Sequence, residues 1–263
     1  MGVSRRNFLK IAGISLLGLG AKPAYDVFAG RDLPEFAQGE EAREAKRWAM
    51  VIDTRKCRDK DGCQDCILAC HRAHNVPDVG NSRQEIKWIW TEPYENAFPN
   101  QEHEFLEETL KHRPVIVLCN HCDDPPCVRV CPTKATFKRE DGIVMMDYHR
   151  CIGCRFCMAA CPYGSRSFNW GDPRRAPKEK NPDFPTNPNF PTRTKGVVEK
   201  CNFCEERLVA GLLPACVEAC KEKALIFGDL GNPDSDVRKV LRSHYTIRRK
   251  PGLGTGPAIY YIV

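Results

Sequence analysis

Sixteen cysteines in a chain of 263 residues are the chemistry this sequence puts forward first. They fall into four groups of four, with none left over. The first group is Cys57-x5-Cys63-x2-Cys66-x3-Cys70 and the second is Cys119-x2-Cys122-x4-Cys127-x3-Cys131-Pro132. The third is Cys151-x2-Cys154-x2-Cys157-x3-Cys161-Pro162 and the fourth is Cys201-x2-Cys204-x11-Cys216-x3-Cys220. Thiolates in such density are soft donors for metal, and the spacing decides which metal.

The third group matches the bacterial run C-x2-C-x2-C-x3-C-P that holds iron–sulfur cubanes. Short x2 spacings wrap three thiolates around one face of a cube and leave backbone N–H groups free to point at the sulfurs. The fourth cysteine is expected on the helix that follows, too far round to bind the same cube, so it serves the neighbouring cluster. Pro132 and Pro162 fix φ where the chain turns away. Motifs of this kind work in pairs, and the most economical pairing joins the second to the third and the first to the fourth. Cys57, Cys63 and Cys66 then share a cluster with Cys220, and Cys201, Cys204 and Cys216 share one with Cys70. Cys119, Cys122 and Cys127 go with Cys161, and Cys151, Cys154 and Cys157 with Cys131. The expectation is four [4Fe–4S] clusters in an α+β fold: two ferredoxin-like double-cluster modules, one inserted in the other, with long irregular loops.

Other chemistries meet these cysteines less well. Tetrahedral zinc also uses Cys-x2-Cys pairs, but does not predict the x2-x2-x3-Pro run. One group given to zinc or left empty fits best at the first motif, with its stretched x5 loop and Cys57 at its start. Covalent haem needs Cys-x2-Cys-His, which is absent; Cys66-x3-Cys70-His71 is the nearest approach. His71, His74, His121 and His149 crowd the motifs and read as supporting or surface residues. A substrate-binding cubane would lack one cysteine, and sixteen leaves no vacancy. With no Gly-rich nucleotide loop and no triad-like grouping either, the expectation is a non-catalytic electron carrier.

The elements that must hold these motifs are short. Trp48–Ile52, Val115–Leu118 and Val197-Val198 are β-rich runs leading into cysteines. Ala135–Phe137 and Ile143–Met146 flank a Glu-Asp-Gly turn at 140–142, which predicts a hairpin. Helices are expected at Ile67–Ala73 and Glu205–Leu212. The outer module is placed at 46–75 plus 195–236 and the inserted one at 114–170, with insertions at 76–113 and 171–194 and a C-terminal extension at 237–263. Residues 172–194 hold six prolines and read as an extended surface loop. Residues 76–113 carry Trp88, Trp90, Tyr94 and Phe98, which reads either as an insertion with its own small apolar cluster or as a docking surface. So small a core leaves much of the folding free energy to the clusters.

Ser4-Arg5-Arg6-Asn7-Phe8-Leu9-Lys10 is a twin-arginine export motif, followed by an apolar run at 11–21 and a small-residue cleavage site at Val27-Phe28-Ala29. The run is too short to span hydrocarbon unaided, so residues 1–29 are a signal peptide or a retained anchor. An exported, cysteine-rich chain is by default a disulfide scaffold; the twin-arginine route carries proteins already folded around their cofactors, which favours clusters. The location expected is extracytoplasmic and peripheral on a membrane. The formal charge of +6 falls to about +3 without the signal, and four oxidised cubanes at about −2 each bring it to roughly −5. Lys and Arg beside the cysteines are therefore local compensation. No basic stripe interleaves with aromatics, which excludes nucleic acid as a partner.

From Trp48 to Asp236 the chain resembles the four-cluster ferredoxin-like subunits of membrane oxidoreductases, the electron-transfer partners of DMSO, polysulfide and nitrite reductases. The resemblance rests on the four motifs in order, with Cys-Pro-Thr-Lys-Ala-Thr at 131–136, Cys-Pro-Tyr-Gly at 161–164 and Ala-Leu-Ile-Phe-Gly-Asp-Leu at 224–230. Its own signal and the x5 spacing look most like the extracytoplasmic ferredoxin subunit of the sulfite-reductase-associated Dsr complex. That implies a multi-pass quinone-binding subunit of the NrfD type (menaquinone), a multihaem cytochrome c, and further membrane and cytoplasmic redox subunits. A subunit of a molybdenum-containing or nitrite-type reductase is the alternative.

Overall fold

The computed structural model describes residues 44–57 and 62–263; the twin-arginine segment and four residues of the first motif's long loop lie outside the described residues. In chain order the elements are β1 (Trp48–Asp53), α1 (Asp65–Ala73), β2 (Ile89–Pro93), α2 (Tyr94–Ala97), α3 (Glu108–Lys111), β3 (Pro114–Leu118), α4 (Pro126–Arg129), β4 (Thr136–Lys138), β5 (Val144–Met146), α5 (Phe156–Ala159), β6 (Ser167–Phe168), β7 (Val198–Glu199), α6 (Glu205–Val209), α7 (Ala215–Glu218), β8 (Leu225–Asp229), α8 (Asp236–Ser243) and β9 (Ile259–Ile262). The fold is mixed α and β, with small sheets.

All six residues of β1 are buried, as a run apolar on both faces requires. It pairs antiparallel with β8, Met50 opposite Phe227, and parallel with β9, Met50 opposite Ile259. The strand before the first motif therefore lies beside the strand after the fourth. β2 pairs antiparallel with β3, and β6 with β7. The predicted hairpin is β4–β5, turned by Gly142 at φ +83°, where a side chain would be strained. The 205–212 helix is shorter than the sequence suggests: α6 stops at Val209 and Gly211 follows at φ +74°.

Three segments differ from their sequence reading. Trp88, Trp90, Tyr94 and Phe98 are neither a separate cluster nor an exposed surface. They are buried in one apolar core with Trp48, Met50, Ile52, Val115 and Tyr261, because β2 pairs with β3 and carries them inward. Residues 172–194 do run irregularly over the surface, but their end is anchored: Arg193 is fully buried and Phe190 packs on the core. The C-terminal stretch is structural rather than appended. It supplies β9 to the main sheet and α8, whose first turn is capped by Ser235 Oγ accepting from Arg238 N–H at 3.3 Å. Among the described residues no helix is long and apolar enough to cross a membrane.

Candidate iron–sulfur sites

In every motif the third cysteine stands on a short helix: Cys66 on α1, Cys127 on α4, Cys157 on α5 and Cys216 on α7. The fourth cysteine shares that helix only in the first motif, where Cys70 lies on α1. Cys131, Cys161 and Cys220 come two residues after helices of four residues, which corrects the expectation that each fourth cysteine rides on the helix. The turns ahead of the helices use left-handed backbone at non-glycine residues: His121, Arg155, Phe203 and Cys204 all have φ between +40° and +63°. Such conformations are held by the surroundings and concentrate at functional loops. Gly153 is a stricter case, since a Cβ there would lie 2.4 Å from the Gly196 carbonyl oxygen.

The packing brings cysteines of different motifs together. Burial first, then repulsion from the thiols of Cys57, Cys220 and Cys63, pushes Cys66 up to about 12. Burial and then Cys201, Cys204 and Cys216 push Cys70 well above the ordinary thiol range. Cys122 is raised to about 12 by burial and by Cys119, with Cys127 and Cys161 adding to it. A small cavity is lined by Cys119, Cys122, Cys127 and Cys161 together with Arg166. Cys157 is raised by burial and by Cys127 and Cys151, while Arg166 opposes them. No disulfide joins the cysteines of the second, third and fourth motifs, nor Cys63, Cys66 and Cys70. Cys63 and Cys154 are the two exposed ones.

Donors already point at the sulfurs. The N–H of Phe203 reaches Cys201 Sγ at 3.4 Å, and those of Ala215 and Ala224 reach Cys204 Sγ and Cys220 Sγ at 3.3 Å. Burial alone would raise Cys131, but the N–H groups of Thr136, Thr133 and Ala135 and the Thr133 hydroxyl hold it below the usual thiol value. Buried thiols raised by one another are a poor place for bare thiolates and a good one for thiolates gathered round a cationic metal core, which supplies the missing counter-charge and deprotonates them on binding. Soft sulfur donors with N–H groups aimed at them are the environment of an iron–sulfur cluster. When bound, such a cluster supplies one-electron chemistry; the chain supplies thiolates, insulation and a local field.

Around these thiols lies a buried polar framework that the motifs do not announce. Glu199, fully buried, pairs with fully buried Arg193 at 2.7 Å and accepts from Trp88 Nε1 at 2.9 Å. His74 stacks on Trp88 with ring centroids 4.4 Å apart, and its Nε2 meets Glu206 at 2.9 Å. The ligand atoms of His74, Cys204 and Glu206 lie within 4.8 Å of one another, yet His74 and Glu206 are joined to each other, so the histidine supports the cysteine loop. His71 is held down to about 4 by burial and then by His74. His121 is buried and stacks on Phe203 at 3.7 Å, while His149 is exposed. Lys200 is fully buried and donates to the Cys201 carbonyl at 2.5 Å; a lysine beside a cysteine is its only sequence signal. Arg166, Arg193 and Glu199 have none.

A family model described as a 4Fe-4S dicluster domain matches residues 113–180 and again 177–230. The chain is 40% identical to the iron-sulfur subunit 1 of an Hdr-like menaquinol oxidoreductase from Archaeoglobus fulgidus, over 98% of this chain and 97% of the relative. It is 39% identical to the iron-sulfur cluster-binding subunit of a menaquinone reductase from Nitratidesulfovibrio vulgaris, covering 82% and 88%. With the B subunit of a polysulfide reductase from Wolinella succinogenes the identity is 36%, covering 83% and 95%.

Proposed function

We propose that this chain, which belongs to the family of 4Fe-4S iron–sulfur subunits of membrane oxidoreductase complexes, passes single electrons along four [4Fe–4S] clusters between a quinone-reactive membrane subunit and a second redox partner. Members of that family carry electrons and leave catalysis to other subunits. The observation that carries the four-cluster reading is the meeting of thiols across motifs: Cys66 faces Cys57, Cys63 and Cys220, while Cys70 faces Cys201, Cys204 and Cys216. With Cys119, Cys122, Cys127 and Cys161 around one cavity, and Cys151, Cys154 and Cys157 completed by Cys131, all sixteen cysteines are used. Packing of α1 on α7 and of α4 on α5 supports a module of motifs two and three inserted in one of motifs one and four.

The same neighbours support an order for the clusters. Cys66 touches the field of both Cys70 and Cys216, Cys119 that of Cys201, and Cys127 that of Cys157. Electrons then hop from the cluster at Cys63 through two inner clusters to the one at Cys154, and the two exposed cysteines mark the ends. Ile152, Phe156 and Trp170 are exposed beside the second end, a surface suited to a partner. The twin-arginine motif supports an extracytoplasmic position, and the relatives named for menaquinol and menaquinone support a quinone-binding NrfD-type partner. A multihaem cytochrome c on the other side and a role in sulfur or sulfite metabolism complete the reading. The polysulfide reductase relative favours a second one, the carrier subunit of a terminal reductase.

Iron and sulfide analysis with an EPR redox titration tests the core of this. About sixteen irons per chain and four one-electron signals are expected; fewer than about twelve irons refutes four cubanes. Purification from solubilised membranes tests the partners: a multi-pass subunit with cytochrome supports the first reading, and a molybdenum protein transfers the chain to the second.

A further inference from the structure

Three arginines are buried among the described residues, and two of them have carboxylates. Arg193 lies 2.7 Å from Glu199 and Arg249 lies 2.8 Å from Glu92. Arg166 is as deeply placed, at 5% exposure, and among the described residues no carboxylate pairs with it. Its Nη2 instead donates to Cys127 Sγ at 3.0 Å and to Thr136 Oγ1 at 2.8 Å, and its Nη1 approaches Met146 Sδ at 3.8 Å. A buried guanidinium needs a compensating anion. The anionic groups facing Arg166 are sulfurs: Cys127, then Cys157 and Cys119. In the ligand sets proposed above, Cys127 and Cys119 belong to one cluster and Cys157 to the next. The guanidinium therefore stands between two clusters and answers to both.

We propose that Arg166 is the positioning charge that sets the potentials of these two adjacent clusters, raising both and the Cys127 cluster more. Each cubane takes up one electron and no proton on reduction, so a thiolate-ligated cluster goes from about −2 to about −3 with nothing else to neutralise the added charge. A fixed cation favours the reduced state. At an effective dielectric of about 20, a unit charge several ångströms away biases a one-electron equilibrium by at least about tenfold. Tenfold for one electron is about 59 mV. The fork geometry matters too: one arm holds the sulfur and Thr136 together, which fixes the charge against the ligand. The hairpin β4–β5 provides Thr136 and Met146, so a structural element without cysteines aims the charge.

This inference rests on the ligand sets above, and the test separates the two. EPR-monitored titration with dithionite, a one-electron reductant, is run on wild type, Arg166→Gln and Arg166→Lys, each analysed for iron. Wild type without four cubanes sinks the ligand sets themselves. With four present, Arg166→Gln is expected to lower two midpoints, one of them by about 59 mV or more, and to leave the other two in place, while Arg166→Lys keeps both closer to wild type. Four unmoved midpoints, or four that move together, overturn the proposal. If Arg166→Gln does not retain iron, Arg166→Lys decides: clusters kept by the ammonium support the charge, and loss of iron there too makes Arg166 structural and overturns it.

Discussion

The Glu199–Arg193 pair allows a stability effect to be worked out from contacts alone. Both side chains are fully buried. Glu199 Oε2 accepts from Arg193 Nη2 at 2.7 Å and from Trp88 Nε1 at 2.9 Å, and Oε1 accepts from Asn169 Nδ2 at 2.5 Å. Three donors converge on the carboxylate, so Glu199→Gln loses twice over. The charge opposite the guanidinium disappears, and one face of the amide becomes a donor set against another donor. Arg193 keeps the carbonyls of His74, Asn75 and Pro191 and the rings of Trp88 and Phe190, but no anion among the described residues. Breaking one partner of a buried pair costs about 3–5 kcal/mol. For a unit of this size each kcal/mol is about 2–4 °C in Tm, so a drop of about 6–20 °C is expected. The assay is an anaerobic melt of the holoprotein, followed in parallel by cluster absorbance and far-UV circular dichroism. Glu218→Gln is the control, because its pair with Arg207 is exposed and such pairs contribute about 0–1 kcal/mol. The double change Glu199→Leu with Arg193→Met should be less harmful than Glu199→Gln alone, since no unpaired charge remains. A Glu199→Gln melt within about 2 °C of the Glu218→Gln control would falsify the account.

Three further outcomes follow from the geometry. Gly153→Ala places a methyl 2.4 Å from the Gly196 carbonyl oxygen at φ +72°, so it should displace the third-motif loop; one of the four EPR signals and about a quarter of the iron are expected to vanish, and a fully loaded variant would refute the clash. Cys154→Ser, at an exposed position, should cost one end of the wire and leave the rest folded, whereas Cys216→Ser, buried and facing Cys204, Cys201 and Cys66, should abolish accumulation; equal yields and equal iron from the two variants would contradict the inner and outer placement. Iron removal with a strong chelator under reducing conditions should collapse the far-UV signal, because the metal–sulfur bonds that would hold short loops of different motifs together are then gone; a native spectrum in the iron-free chain would show that the core stands without its clusters.

What could be read from the sequence and what could not divide along contact range. The cysteine motifs, β1, β3, the β4–β5 hairpin and α1 are local: a handful of neighbouring residues settles each of them. The fate of Trp88, Trp90, Tyr94 and Phe98 is not local. It depends on β2 finding β3 across an intervening stretch, and nothing in the segment itself distinguishes a core strand from a detached one. The same holds for β9, which joins β1 from the far end of the chain, and for Arg193, which leaves a proline-rich surface segment to meet Glu199. Arg166 is the extreme instance. An arginine five residues after the last cysteine of a motif has no signature, and its meaning comes from the hairpin and the sulfurs that surround it.

The one spacing common to all four motifs is the x3 before the last cysteine; the earlier gaps vary from x2 to x11. In the first motif the structure supports a physical reason for that step. On α1, residues four apart lie on one face and about 6 Å apart along the axis, and Cys66 and Cys70 look at different sets of thiols across that distance. A ligand to the same cube would have to come back toward Cys66; one turn further on, it is presented to the neighbour. On α1 the helix is thus a spacer, and in the proposed ligand sets it would tie two clusters to one rigid turn. The loops before it need only surround three thiolates and can stretch, as at Cys57, or be interrupted by a further helix, as between Cys204 and Cys216. Variation in the loops and constancy in the x3 step are what a chain under selection for distances between clusters, rather than for the shape of any single loop, would display.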